Sequence, residues 1–190
     1  MNTPNKLTVF RIALMPFIVF FLVFKNLEHN YLYAFLVFLV ASYTDRLDGH
    51  IARKTGDITS FGKIMDPLAD KILTSSIFIC FASLGLVPVW AAILIVSREF
   101  IVTSVRFLIL ESKKRVISAN IWGKLKTVSQ MITISIIFLF QIYIEDVNKY
   151  FTNIYVLAII QNLLIWVCVL SAVVSGIIYI VDNRRYIKTD

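Results

Sequence analysis

Residues that turn or interrupt a chain are scarce in this sequence. Six glycines and four prolines are spread over 190 residues, and only 16% of the residues are charged. A soluble domain of this length would have a polar surface and broken apolar runs. Here 58% of the residues are hydrophobic, the mean hydropathy is +0.79, and the apolar runs reach the roughly 20 residues needed to cross a bilayer. The sequence therefore predicts an all-α integral membrane protein with a single domain over residues 1–190.

Thiol and imidazole side chains are scarce as well. The two cysteines, Cys80 and Cys168, lie inside apolar runs without a CxxC motif, so we expect them to be small buried hydrophobic residues. His29 lies in a polar loop, and His50 has no second histidine close to it in the sequence. Neither histidine is therefore expected to be catalytic, and neither cysteine is expected to bind a metal.

Six long apolar segments each predict a transmembrane helix. The segments cover about residues 7–24, 31–48, 62–84, 88–110, 122–144 and 153–181. A helix from Tyr31 to Gly49 would be about 28 Å long, which is enough to cross the hydrocarbon core. We therefore expect a bundle of six transmembrane helices.

Lysine and arginine residues mark one side of this bundle. The loops on the opposite side carry only Lys25 and Lys149. The basic side carries Lys6, Arg11, Arg46, Arg53, Lys54, Lys63, Lys113, Lys114, Arg115, Lys124, Lys126, Arg184, Arg185 and Lys188. By the positive-inside rule this side is cytoplasmic, and both chain termini lie on it. Anionic lipid head groups attract such a basic rim, so the net charge of +7 does not predict a nucleic-acid partner.

Four aspartates lie at the cytoplasmic ends of the second and third predicted helices. Asp45 and Asp48 are three positions apart, and Asp66 and Asp70 are four positions apart. Both spacings place the two carboxylates on one helical face. Two antiparallel helices joined by a short loop would direct all four at a common point, where they would repel one another unless cations were bound. Carboxylates without histidine or cysteine favour Mg²⁺ or Mn²⁺, so one or two such ions are expected.

A structural role is the alternative for these aspartates. They could cap helix ends and pair with basic neighbours, which are Arg46, Arg53 and Lys71. Ionisable groups at membrane depth usually line a functional cavity, and this favours the metal site.

Small residues between the two aspartate pairs suggest a ligand beside the metal ions. Gly49, Ala52 and Gly62 would allow a planar or phosphorylated molecule to approach the backbone closely. Arg53 can donate two hydrogen bonds to a phosphate group.

From Asp45 to Asp70 the sequence reads D-x2-D-G-x2-A-R-x8-G-x3-D-x3-D. This pattern resembles the defining motif of the CDP-alcohol phosphotransferases at all eight fixed positions. The resemblance implies a six-helix membrane enzyme that joins a CDP-linked alcohol to a second alcohol and releases CMP. It implies that Asp45, Asp48 and Asp66 hold two metal ions, and that Asp70 contributes to the metal site and acts as the base. The implied CDP-binding residues are Asp48, Gly49, Ala52, Arg53 and Gly62.

Basic residues near the cytoplasmic side suggest the nature of the second alcohol. They are Lys63, Arg106, Lys124 and Lys126. A cavity ringed by these cations would suit an acceptor that carries a phosphate dianion, and Arg106 and Lys126 are the main candidates to bind it. Arg98 and Glu99 fit a buried pair that joins helices as well as they fit a ligand site.

Three further stretches extend the likeness over nearly the whole chain. "NTPNKLTVFRI" at residues 2–12, "SREF" at residues 97–100 and "GKLKT" at residues 123–127 are similar to bacterial members of the family. That likeness implies transfer of a phosphatidyl group from CDP-diacylglycerol to sn-glycerol 3-phosphate, which gives phosphatidylglycerol phosphate and CMP by direct displacement. It also implies a homodimer in the bacterial plasma membrane.

Two alternative functions stay open at this point. The same chemistry could use another acceptor: inositol phosphate, serine, or phosphatidylglycerol. The chain could instead be a divalent-cation transporter, which would predict carboxylates near the bilayer midplane and symmetric repeats. The aspartates cluster on one side and no repeat is apparent, so the enzyme is favoured.

Overall fold

The computed structural model describes residues 3–24, 26–55, 60–113, 121–146 and 154–187. Within these ranges, the side chains of residues 3–4, 46–55, 60–64, 110–113, 146 and 185–187 lie outside the description. Every regular element in the described part of the chain is an α-helix. The prediction of an all-α protein is therefore confirmed.

Six helices follow one another in the described chain. They are α1 (Thr3–Val23), α2 (Asn30–Thr55), α3 (Ser60–Ser83), α4 (Val89–Lys113), α5 (Ile121–Asp146) and α6 (Ile154–Ile187). Each predicted apolar segment overlaps one of them. Because α2 continues to Thr55, the motif residues from Asp48 to Arg53 are helical and do not form a loop.

Glycine and proline define the connection between α3 and α4. Gly85 has a φ of 74°, and its amide donates to the carbonyl oxygen of Ala82 at 3.1 Å. This left-handed conformation is a common way to end a helix, and glycine adopts it without strain. The carbonyl oxygen of Pro88 then accepts hydrogen bonds from the amides of Ala91 and Ala92, at 2.9 and 3.2 Å. Pro88 is therefore the N-cap residue of α4.

The chain divides into two compact units, and the first contains residues 1–81 and 137–152. Within it, α1 packs along α2. The ring of Phe138, from the second part of α5, lies 5.9 Å from the ring of Phe38 and 5.1 Å from the ring of Phe81, centroid to centroid. All three rings are buried. Phe138 therefore joins α2 and α3 in the core of this unit.

The second unit contains residues 82–136 and 153–190. Here α4 packs against α6, and the rings of Trp90 and Trp166 lie 5.1 Å apart. The hydroxyl groups of Ser129 and Ser171 are 2.7 Å apart and link α5 to α6. The core of this unit is thus formed by three helices, with polar contacts between two of them.

Within the described residues, three helices are long and apolar enough to cross a membrane. These stretches are Asn5–Val23, Ile121–Glu145 and Ile154–Arg184. Large apolar side chains are widely exposed, for example Phe17, Ile93 and Leu163 at 56%, 58% and 60%. Such surfaces are unfavourable in water and ordinary in lipid, so the chain is a membrane protein. The six-span topology stays a prediction.

Candidate active site

A polar stripe occupies the first half of the buried face of α1. Asn5, Thr8 and Arg11 are each three positions apart, and all three are buried. The same face continues with the buried apolar residues Met15, Ile18 and Leu22. Side chains at this spacing lie on one side of a helix. One face of α1 therefore changes from polar to apolar along its length.

Two of the predicted site aspartates contact this polar stripe. The Nη1 atom of Arg11 lies 2.7 Å from Oδ1 of Asp45 in α2, and the hydroxyl of Thr8 donates a hydrogen bond to Oδ1 of Asp66 in α3. Residues three positions apart on a helix are neighbours. Asp45 and Asp66 therefore lie beside adjacent positions of the same helix, and Asp70 follows Asp66 by one turn of α3.

Burial is unequal within the Arg11–Asp45 pair. The Arg11 side chain is 0% exposed, whereas the Asp45 side chain is 44% exposed. A buried guanidinium without a counter-ion would cost several kcal/mol, roughly 3–5 when one partner of such a pair is removed. Asp45 therefore compensates the charge of Arg11 while its own side chain is still reachable from outside the protein.

The chemistry of the aspartates fits a hard divalent cation. Carboxylate oxygens are the ligands that Mg²⁺ and Mn²⁺ prefer, and Asp45, Asp66 and Asp70 offer only such oxygens. In the part of the chain that the structure describes, no three histidine, cysteine, aspartate or glutamate side chains are grouped closely enough to hold a metal ion. The side chain of Asp48 lies outside that part. The metal site predicted from the sequence therefore stays a prediction.

Six of the predicted site residues are described by their backbone alone. They are Asp48, Gly49, Ala52 and Arg53 in α2, and Gly62 and Lys63 in α3. Their side chains lie outside the described residues. Their roles in CDP binding and acceptor binding stay predictions.

Glu99 is the centre of a buried polar cluster in the second unit. It is 2% exposed. Its Oε1 accepts a hydrogen bond from the Gln130 amide at 3.2 Å and forms an ion pair with Nζ of Lys126. The Nη1 atom of Arg98 lies 3.5 Å from the same oxygen, and Nη2 of Arg98 donates to the Ser175 hydroxyl at 2.6 Å. Arg98 and Glu99 therefore connect α4 with α5 and α6.

Arg106 lies two turns beyond Glu99 on α4, against an aromatic ring. Its guanidinium carbon is 5.8 Å from the ring centroid of Tyr179, a distance typical of cation–π contacts. Among the described residues, neither Nε of Arg106 nor the hydroxyl of Tyr179 has a hydrogen-bond partner, although both atoms are buried. Buried polar atoms are normally paired, so both side chains keep unused hydrogen-bonding capacity within the described part of the chain. Lys124, in contrast, is exposed.

The eight-position motif does not include Thr8 and Arg11. From the sequence alone Arg11 is only one of many cytoplasmic cations, and Thr8 is one polar residue in an apolar helix. The available signal is the recurrence of Asn5, Thr8 and Arg11 at every third position. That recurrence predicts a polar face on α1, but it does not show which helices this face contacts.

Comparison with protein families decides where the chain belongs. The sequence model described as CDP-alcohol phosphatidyltransferase matches residues 1–175. The chain belongs to the CDP-alcohol phosphatidyltransferase family. The family predicted from the aspartate motif is thereby confirmed, and the chain is an enzyme of the phosphatidyltransferase class.

Several curated proteins are similar to this chain, two of them over nearly its whole length. The chain is 37% identical over 199 residues to the CDP-diacylglycerol–glycerol-3-phosphate 3-phosphatidyltransferase of Bacillus subtilis (strain 168), with 99% of this chain and 98% of that protein covered. It is 34% identical to the protein of the same name from Rickettsia bellii (strain RML369-C), with 97% of each covered. A probable phosphatidylglycerophosphate synthase of Mycobacterium tuberculosis is 37% identical over 137 residues, with 71% of this chain and 65% of that protein covered.

Proposed function

We propose that this chain is a CDP-diacylglycerol–glycerol-3-phosphate 3-phosphatidyltransferase. It transfers the phosphatidyl group of CDP-diacylglycerol to sn-glycerol 3-phosphate and yields phosphatidylglycerol phosphate and CMP. The observation that carries this function is the near-full-length similarity to relatives of that name. The aspartate motif from Asp45 to Asp70 is complete in this chain and supplies the residues for the chemistry.

The donor end of the reaction is assigned to the aspartates of the first unit. Asp45, Asp48, Asp66 and Asp70 are the proposed ligands of two divalent ions, Mg²⁺ or Mn²⁺, in a family that generally depends on divalent metals. Such ions, when bound, neutralise the diphosphate and stabilise the departing CMP. The contacts of Asp45 and Asp66 with neighbouring positions of α1 support a shared site. CDP is bound along the motif by Asp48, Gly49, Ala52, Arg53 and Gly62.

Asp70 is the proposed base. It accepts the proton of the acceptor hydroxyl while the hydroxyl oxygen forms a bond to the lipid-proximal phosphorus. The bond from that phosphorus to the bridging oxygen breaks, and CMP leaves with the electron pair. This is a direct displacement, so no phosphatidylated protein forms. Trapping such a protein during turnover would contradict it.

The acceptor phosphate is assigned to basic residues, which are Arg106, Lys126, Lys124 and Lys63. Arg106 has the strongest support because its buried Nε has no partner among the described residues. Lys126 is ion-paired with Glu99, so it would share its charge between that carboxylate and the phosphate. We therefore expect Arg106 to be the main anchor.

The same proposal includes an orientation in the membrane. All six helices span the bilayer of a bacterial plasma membrane, both termini are cytoplasmic, and the aspartates face the cytoplasm. The distribution of lysine and arginine supports this orientation. A homodimer, implied by the family resemblance alone, belongs to the proposal as well.

An acceptor panel tests this function. The purified protein is supplied with CDP-diacylglycerol and Mg²⁺, together with glycerol 3-phosphate, inositol phosphate, serine or phosphatidylglycerol in turn. We expect CMP release and a new lipid with glycerol 3-phosphate only. Product from another alcohol, with none from glycerol 3-phosphate, would show that the acceptor is wrong. Metal flux into liposomes without CMP release would favour a transporter.

The base assignment predicts the effect of Asp70→Asn. Because the amide cannot accept the proton, we expect CMP release to fall by about 10²- to 10⁴-fold with an unchanged melting temperature. Asp182→Asn, at an exposed position of α6, is the matched control and should retain wild-type turnover. Activity of Asp70→Asn within a few-fold of wild type would place the base elsewhere.

A further inference from the structure

We propose that Thr8 and Arg11 of α1 are positioning residues for the aspartate site. Neither residue belongs to the aspartate motif, and neither would touch the substrate in the role proposed. The inference rests on the proposed function, because it takes Asp45 and Asp66 as ligands of divalent metal ions. Thr8 and Arg11 hold the carboxylates of those two aspartates in the orientation that binds metal.

The position of Arg11 argues for a specific role. It lies inside the apolar stretch Asn5–Val23 and is 0% exposed. Charged residues at such positions are costly and are usually functional. Its Nη1 atom forms an ion pair with Oδ1 of Asp45 at 2.7 Å. Because the guanidinium is rigid and fully buried, this ion pair holds Oδ1 of a carboxylate whose side chain is 44% exposed.

The contact made by Thr8 is of an unusual kind for this chain. Threonine hydroxyls in helices commonly bond to a carbonyl oxygen one turn earlier. Five threonines in the described chain make such a bond, and they are Thr44, Thr74, Thr103, Thr127 and Thr133. Thr8 donates to a carboxylate 58 positions away, on another helix. This fully buried hydroxyl therefore orients Asp66.

Together the two contacts fix Asp45 and Asp66 relative to one another. Thr8 and Arg11 are neighbours on one rigid helix, while Asp45 belongs to α2 and Asp66 to α3. Groups that hydrogen-bond to metal ligands orient them, and removing such a group typically weakens metal affinity by about 10- to 100-fold. We expect an effect of that size here.

Charge compensation alone is the competing explanation for Arg11. In that case the guanidinium would only neutralise Asp45 when no metal is bound, and it would compete with the metal ion. The two explanations predict opposite results. Removing a positioning residue weakens metal binding, whereas removing a competing cation strengthens it.

The test is a Mn²⁺ titration of the purified protein in nanodiscs without substrate, followed by the electron paramagnetic resonance signal of free Mn²⁺. Arg11→Gln and Thr8→Val should each bind Mn²⁺ about 10- to 100-fold more weakly than wild type. Thr8→Ser keeps the hydroxyl and should bind like wild type, and Arg11→Lys keeps the charge without the planar fork and should be intermediate. The matched control is Thr133→Val, which removes a buried hydroxyl bonded to backbone carbonyl oxygens and should leave the affinity unchanged.

Each outcome distinguishes the inference from the function on which it rests. Suppose that the wild type binds Mn²⁺ and that Asp66→Asn does not. If Arg11→Gln and Thr8→Val then both bind Mn²⁺ as tightly as the wild type or more tightly, the positioning role alone is overturned. Absence of Mn²⁺ binding by the wild type overturns both the metal site and this inference. If the melting curve shows that Arg11→Gln does not fold, the Mn²⁺ affinity of the nearly isosteric Thr8→Val variant tests the positioning role. Thr8→Ser, which restores the hydroxyl, should then restore the affinity.

Discussion

At the scale of single residues, buried charge in the described chain occurs next to opposite charge. Arg11 is compensated by Asp45 in the first unit, and Lys126 by Glu99 in the second. Glu99 also accepts a hydrogen bond from the side-chain amide of Gln130. The charges of Lys126 and Arg98 and the amide of Gln130 thus surround the buried carboxylate of Glu99. Removing that carboxylate would leave the two positive charges without their counter-ion.

Glu99→Gln tests this arrangement. The variant leaves the buried ammonium of Lys126 without its counter-ion, so we expect a loss of about 3–5 kcal/mol in the free energy of unfolding. The loss is measured by denaturant titration of the protein in mixed micelles. Lys124→Gln, at an exposed position in the same region of α5, should change stability by less than about 0.5 kcal/mol. Equal effects of the two substitutions would contradict the account.

The sequence alone identifies some of these residues as site residues, but it does not identify the contact partners of the others. Asp45, Asp66 and Asp70 are recognisable because the motif fixes their type and spacing. Glu99 and Lys126 are visible as charges in apolar surroundings, but their pairing depends on how α4 and α5 are rotated about their axes. Thr8 and Arg11 require the same information for α1. Side-chain periodicity gives the face on which a residue lies, and contact between helices gives its partner.

At the scale of elements, α4 and α6 approach closely at a glycine. A Cβ atom added to Gly176 would lie 3.1 Å from Cγ of Arg98, whose Nη2 donates to the neighbouring Ser175. A side chain at position 176 would therefore displace the arginine that links the two helices. Gly123, near the start of α5, has no atom within 4 Å of an added Cβ.

Gly176→Ala and Gly123→Ala should therefore change the free energy of unfolding in opposite directions. At position 123 alanine removes backbone freedom of the unfolded chain and should stabilise by about 0.5–1 kcal/mol. At position 176 the crowding of Arg98 should outweigh this gain, with a net loss of about 1 kcal/mol, at the lower end of the cost of overpacking. Both changes can be measured by the same denaturant titration as for Glu99→Gln. Stabilisation by Gly176→Ala would show that α4 and α6 accommodate the methyl group.

The elements themselves are largely predictable from the sequence. Each apolar run became one helix, and the turn between α3 and α4 follows from Gly85 and Pro88. The ends of α2 and α6 are the exceptions, because both helices continue past the apolar run into charged residues, to Thr55 and Ile187. Gly49 does not end α2, although Gly56 directly follows its last residue, and the arginine and lysine residues in these extensions are good helix formers.

At the scale of the whole molecule, positive charge on one side predicts the orientation in the membrane. A single cysteine introduced by Glu28→Cys, in the loop between α1 and α2, should react with a membrane-impermeant maleimide on intact cells. Thr189→Cys should react only after permeabilisation. The two native cysteines are free and buried, so the parent protein gives the background. Labelling of Thr189→Cys in intact cells would contradict a cytoplasmic C-terminus.

The central claim is that Asp45, Asp48, Asp66 and Asp70 hold divalent metal ions that bind the diphosphate of the lipid donor. Anomalous diffraction at the manganese edge, from crystals grown with Mn²⁺ and CDP, tests it most directly. The account predicts two anomalous peaks, about 3.5–4 Å apart as in other two-metal sites, both within coordination distance of these carboxylates. Peaks elsewhere in the protein, with CDP bound away from the four aspartates, would contradict it.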